Sequence, residues 1–203
     1  MDKIDLKKQL KYLYEARADT VREIDVPMLN FLMIDGRGDP NTTPAYRAAV
    51  EALFALSYAI KLLVKKGPTG VDYGVLPLEG LWWADDMSRF TATDRALWNW
   101  TMMIMQPEWV TAPMVEQARR DTAKKKSLEA LDRVRFDSMA EGRCAQTMHV
   151  GPFTEEGSTI ARVHEFIERR GHRLSGKHHE ICLSDIRRVD PRKWRTLIRQ
   201  PMH

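Results

Sequence analysis

The sequence predicts an α+β protein made of two β-α-β-β modules in tandem, related by a pseudo-twofold and joined by a helix. Three observations predict it. Short apolar runs stopped by Gly and Pro alternate with longer stretches of helical periodicity. The same order of elements occurs twice. One glutamate stands inside the third element of each half, Glu79 in Leu78-Glu79-Gly80-Leu81-Trp82 and Glu180 in His179-Glu180-Ile181-Cys182-Leu183. Residues 1–203 read as one domain, with module one over about 24–110, the connector over about 113–132 and module two over about 134–203.

Residues 26–35 are apolar and short, and Gly36-Arg37-Gly38-Asp39-Pro40 stops them, which predicts a strand and a loop. Thr42 or Thr43 caps a helix with Pro44 at its first position, running to about Lys65. Tyr46, Val50, Leu53, Phe54, Ser57 and Ile60 recur at helical spacing and mark its buried face. Asp72 to Trp83 reads as a strand interrupted by Gly74, Pro77 and Gly80, followed by a turn at Asp85-Asp86-Met87-Ser88. Leu97 to Met105 is the next strand, with Trp98 and Trp100 on one face and Asn99 on the other.

Pro113 to Asp132 reads as a charged connector helix lying over a sheet, with a thin stripe from Val115, Ala118, Leu128 and Leu131. The second half repeats the plan. Gly142 to Val150 is a strand, and Thr154 begins a helix to Arg170 with Ile160, Val163, His164 and Ile167 facing inward. Lys177 to Asp185 and Trp194 to Gln200 are the last strands.

Composition narrows the classes. Six Trp, five Tyr and six Phe in 203 residues exclude a solvated coil as the main state. Cys144 and Cys182 are alone and fit no metal or redox spacing, so a disulfide scaffold is excluded and reduced thiols are expected. No run of 18 apolar residues occurs and no signal-peptide core opens the chain, so a cytoplasmic protein without membrane contact is expected. Residues 160–203 hold 11 Lys and Arg against 5 Asp and Glu, a net of +6, while the rest carries −2. The basic residues of this quarter alternate with Asp185, Asp190 and apolar positions. That pattern reads as an ion-paired edge, and no nucleic-acid partner is expected.

The paired glutamates are the chemical feature. On alternating strand faces, Ile181 and Leu183 are expected to pack on the helix, sending Glu180, His178 and Cys182 to the other face. Two modules paired in this way would bring Glu79 and Glu180 to a shared central cleft. Trp82, Trp98 or Trp100, Trp109 and Phe153 are available to line it. A carboxylate among aromatic walls loses solvation, its pKa rises, and it can act as general base or acid. It also attracts flat cations. The competing reading is an exposed strand glutamate paired with Arg or Lys. His178-His179 beside Glu180 suggests a metal, but neighbouring strand residues point oppositely and no third ligand follows, so no metal is expected. Gly36-Arg37-Gly38 lacks the Lys-Ser/Thr of a phosphate loop, and no cofactor is expected.

The stretch Gly176-Lys177-His178-His179-Glu180-Ile181-Cys182-Leu183-Ser184-Asp185, with Arg187-Arg188 and the ending Leu197-Ile198-Arg199-Gln200-Pro201, resembles the C-terminal signature of the GyrI-like small-molecule-binding family. Residues 30–40, Leu56-Ser57-Tyr58-Ala59-Ile60-Lys61, Pro77-Leu78-Glu79-Gly80-Leu81-Trp82-Trp83, residues 103–107 and Met148-His149-Val150-Gly151-Pro152-Phe153 also match, in order, along nearly the whole chain. The resemblance implies the tandem β-α-β-β (SHS2) fold. No DNA-binding helix pair is appended, which resembles the stand-alone branch, similar to cyclopropanoid cyclopropyl hydrolases. That branch is implied to hydrolyse cyclopropane-bearing DNA-alkylating natural products through pocket glutamates and aromatic residues. By motif match the glutamates fall on Glu79 and Glu180, the tryptophans on Trp82 and Trp83, and an N-terminal tyrosine on Tyr14. Cys182 stands where the family often has tyrosine, which removes a phenol and an aromatic wall.

The expected mechanism places a flat polycyclic ligand against Trp82, Trp83 and Trp100. Glu180 takes a proton from water, Glu79 orients the water or ligand, and Tyr14 or Tyr58 bonds the developing phenolate. Tyr58 lies in a helical Leu-Ser-Tyr-Ala-Ile run, where plain packing is the alternative. Two rival functions stay open: a non-catalytic binder of flat or cationic drugs, and a protein-interaction module such as a topoisomerase inhibitor.

Overall fold

A computed structural model describes residues 3–87, 90 and 94–203. The chain divides into two compact units that are not contiguous in sequence. Unit 1 takes residues 1–6, 29–76 and 82–139, and unit 2 takes 7–28, 77–81 and 140–203.

In unit 1, β2 (Leu29–Arg37) lies between β4 (Asn99–Gln106) and β5 (Arg135–Met139), antiparallel to both, with Phe31 opposite Met105 and Leu32 opposite Phe136. Phe31, Leu32, Met33 and Ile34 are buried in succession, so both faces of β2 are covered there. The long helix α3 (Pro44–Lys66) starts as expected: Thr43 is extended, Pro44 occupies the first turn where its missing N–H costs nothing, and Gly67 closes the end. Its buried stripe is Ala49, Ala52, Leu53, Leu56, Ser57, Ile60 and Val64. The stripe is rotated from the expected one because small alanines, rather than Tyr46 and Val50, meet the interior. Against α3 packs α4 (Ala112–Ala123).

Several expectations are corrected here. The 26–35 run is the end of one strand and most of another. The connector helix stops at Ala123, where Lys124, Lys125 and Lys126 offer no apolar side, and it lies on α3 rather than over a sheet. A single 3-10 turn at Leu131–Arg133 then leads into β5, a strand missed because Arg135, Asp137 and Ser138 disguise it. Bends occur at Asp85 and Asp86, while Ser88 lies outside the described residues.

In unit 2 the order is β1 (Arg22–Val26), β6 (Gly142–Val150), β8 (Arg195–Pro201), β7 (His178–Cys182), all antiparallel, with the Leu78–Leu81 part of β3 (Leu78–Trp83) beside β7. β6 has the bounds its sequence gives, set by Gly142 at positive φ (+65°) and by Gly151 at +139°. Helix α5 (Gly157–Arg169) starts later than Thr154, after a 3-10 turn at Phe153–Glu155. It covers one sheet face through Val163 and Ile167 on Ala145, Ile198 and Met202. The short helices α1 (Leu6–Gln9) and α2 (Lys11–Tyr14) precede β1. Leu13 and Tyr14 of α2 are buried.

Candidate functional site

β7 and β8 pair with His179 opposite Arg199, so these two side chains share a sheet face. Arg199 is also opposite Gln146 of β6 and donates from Nε to its Oε1 at 2.9 Å. Gly142 turns the chain so that Glu141, the residue before it, meets the same face. Arg199 Nη1 donates to Glu141 Oε2 at 3.0 Å, and Arg199 Nη2 to the Leu13 carbonyl at 2.8 Å. His179 stands between two carboxylates, with Nδ1 at 2.9 Å from Glu141 Oε2 and Nε2 at 3.0 Å from Glu79 Oε2. The remaining oxygen of Glu79 accepts a bond from the Tyr14 hydroxyl at 2.8 Å. Glu79 is 1% exposed, His179 0% and Arg199 2%.

So many buried charges persist only because each is countered and hydrogen-bonded. Burial works against the charged form of His179, but the charge and hydrogen bond of Glu141, joined by the bond to Glu79, outweigh it and raise its pKa to about 9. Burial likewise pushes Glu141 up, and His179 and Arg199 overcome that to leave it at about 2. The Tyr14 phenol is raised, first by burial and then by the charge of Glu79, so it stays a neutral donor. A neutral donor, a carboxylate and a charged imidazole in a dry setting can accept a proton and steady a developing anion.

Glu180 is elsewhere. It sits opposite Ile198, whose side chain belongs to the α5 cluster, so Glu180, His178 and Cys182 face the helix and His179 and Ile181 face away. This reverses the expected orientation of β7, and Glu79 and Glu180 do not converge. The pattern misled because both faces of β7 are covered and the away face hides an ionic network rather than solvent. On the helix face His178 Nε2 is 3.1 Å from Glu180 Oε1. Glu156 joins this cluster, only 4% exposed, and burial and the charge of Glu180 push it up to about 9. The Cys182 thiol is pushed up by burial and by Glu180 and Glu156, which leaves it a poor nucleophile.

The aromatic candidates fall mostly in unit 1. Trp82 is buried, stacked on Tyr46 and edge-on to Trp98. Trp100 is fully buried and edge-on to Tyr46, a core residue rather than a wall. Trp109 meets Tyr73 edge-on. Tyr58 is 53% exposed and stacks on Phe54. Trp83 is half-buried, and strand alternation gives it the same face of β3 as Glu79, with Trp82 on the other. In unit 2, Phe153 packs on Trp194 with ring centroids 5.0 Å apart. A surface groove of about 480 Å³ lined by Tyr12, Glu15, Arg17 and Arg22, among others, contains none of the candidates.

Sequence reasoning missed Glu141, Arg199, Glu156 and the role of His179. Arg199 carried a weak signal, a cation directly after the apolar pair Leu197-Ile198. Glu141 carried none, because its partners are distant in sequence. Among the described residues no helix is long and apolar enough to cross a membrane.

A family model, the GyrI-like small molecule binding domain, matches residues 19–203. Three solved structures from Listeria innocua are similar along essentially their whole length. One, of an uncharacterized conserved protein, is 42% identical with a TM-score of 0.91, covering 98% of this chain and 100% of its own. Two described as hydrolases are 41% and 40% identical, with TM-scores of 0.89 and 0.86, covering 100% and 98% of this chain and 100% of each of theirs. No curated protein matches the chain. With 185 of its residues, 19 to 203, matched by the model and the fold shared with relatives above 40% identity, the chain belongs to the GyrI-like small-molecule-binding domain family.

Proposed function

We propose that the protein binds a flat polycyclic small molecule and hydrolyses a strained cyclopropane in it, with Glu79 as general base. The reading rests on one observation: the Glu79 carboxylate is 1% exposed and held by two donors of different kind, the Tyr14 hydroxyl at 2.8 Å and the His179 imidazole at 3.0 Å. The relatives described as hydrolases support it.

In the proposed step Glu79 accepts a proton from water. The water oxygen bonds to the least hindered cyclopropane carbon. The ring bond from that carbon to the dienone breaks, and its electron pair passes through the conjugated system to the carbonyl oxygen. The resulting phenolate takes a hydrogen bond from Tyr14, whose hydroxyl is released as Glu79 becomes neutral. It then takes the proton from Glu79, so the sum is addition of one water. Ring strain and new aromaticity drive the reaction, and general-base help of roughly 10²–10⁴-fold is enough. Glu180 is assigned no step, because it faces α5.

The test is turnover of a spirocyclopropyl dienone followed by loss of its absorbance. Glu79→Gln is expected to lower the rate by about 100-fold or more while tryptophan quenching shows binding little changed. An unchanged rate in Glu79→Gln would refute the assignment. A second reading is a binder without turnover. It is favoured by both oxygens of Glu79 already accepting hydrogen bonds, and binding of the intact dienone by stoichiometric protein without product would select it.

A further inference from the structure

The buried site holds two carboxylates, Glu79 and Glu141, and two cations, His179 and Arg199, with Tyr14 neutral. The charge on His179 follows from geometry. A neutral imidazole has one N–H and can donate from only one nitrogen. Here both ring nitrogens face carboxylate oxygens, at 2.9 Å to Glu141 and 3.0 Å to Glu79. Arg199 is bound to Glu141 and cannot shed its proton. The cluster therefore sums to zero, and Glu79 presents a dipole to a ligand rather than a free negative charge.

We propose that His179, fixed by Glu141 and Arg199, is a specificity-determining residue that cancels the charge of Glu79 and makes the site select uncharged flat ligands over cationic ones. This rests on the reading above that Glu79 faces the ligand. A lone buried carboxylate attracts a lipophilic cation strongly because little screens it. With an imidazolium in direct contact, that attraction is largely cancelled, while the cation still loses its hydration on entering. The same arrangement suits the hydrolytic step. Once Glu79 has taken a proton from water, the cluster carries one positive charge, opposite in sign to the phenolate then forming.

The test compares acridine with N-methylacridinium, two planar probes of nearly one shape, by titration calorimetry at pH 8 on the full chain. Wild-type protein is expected to bind acridine at least about tenfold more tightly than the cation. His179→Gln, which leaves the cluster with a net negative charge, is expected to erase or reverse that preference. Glu141→Gln, which removes the carboxylate that keeps the proton on His179, is expected to shrink it as well. Equal affinity for the two probes in the wild type, or an unchanged ratio in both variants, would overturn the proposal, and the wild-type comparison decides even where a variant fails to fold. Binding of both probes that Glu79→Gln leaves untouched would instead refute the reading that Glu79 faces the ligand.

Discussion

The hydroxyl of Tyr14 donates to Glu79 Oε1 at 2.8 Å, tying the end of α2 to β3 across 65 residues of sequence. The bond is buried, so its loss cannot be made good by water. Tyr14→Phe keeps the ring and its packing but leaves one carboxylate oxygen without its donor. The expected cost is about 1–3 kcal/mol in urea unfolding. A variant as stable as the wild type would mean that the oxygen has found another donor.

The ionic network should give stability a pH signature. Glu141 titrates at about 2 in the folded chain against an ordinary value of 4.5, so its contribution is complete above 4.5 and is lost as pH falls toward 2. His179 titrates at about 9 against 6.5, so its contribution is complete below 6.5 and is lost as pH rises through 9. Between those limits both are intact. The stability difference between wild type and the double variant Glu141→Gln, His179→Gln is therefore expected to peak between about pH 4.5 and 6.5 and to shrink on either side. Parallel curves for the two proteins would show that the pair does not set it.

Much of this arrangement was legible in the sequence, and the failures have physical causes. Glu79 and Tyr14 were selected and are bonded to each other. The bounds of α3 and β6 follow from Pro44, Gly67, Gly142 and Gly151, local signals that tertiary packing did not override. The orientation of β7 was not legible. Alternation reveals a buried face only when the other face meets water, and His179, 0% exposed on one side, and His178, 4% exposed on the other, give that strand two interiors. Glu141 was invisible because the sequence shows a carboxylate beside Gly142 but not the cations that its turn brings to it.

Gly36 of β2 lies under the ring of Trp100. A Cβ placed there would stand 2.0 Å from the ring carbon Cη2, and the ring is fully buried. Gly36→Ala is expected to cost about 1–3 kcal/mol or more, read as a fall in melting temperature. Gly157, the first residue of α5, meets nothing within 4 Å, so Gly157→Ala is expected to be neutral or slightly stabilising. Equal effects of the two substitutions would mean that the Trp100 contact is not what requires glycine.

The helix-side pair Glu156 and Glu180 adds a second pH dependence. Glu156 is 4% exposed, and its Oε1 finds no hydrogen-bond partner among the described residues. Burial and the nearby charge of Glu180 raise it to about 9, with the Thr196 bond opposing them. A carboxyl raised in the folded chain holds its proton where the unfolded chain has lost it. Its stability contribution therefore declines as pH climbs from about 4.5 to about 9. Glutamine has the shape of the protonated acid and no proton to lose. Glu156→Gln is thus expected to match the wild type near pH 4 and to exceed it by at least about 1 kcal/mol at pH 8. Guanidinium unfolding at the two pH values measures this. A gain of equal size at both would trace to packing, and a loss at pH 8 would show that Glu156 is ionised there and held by a cation.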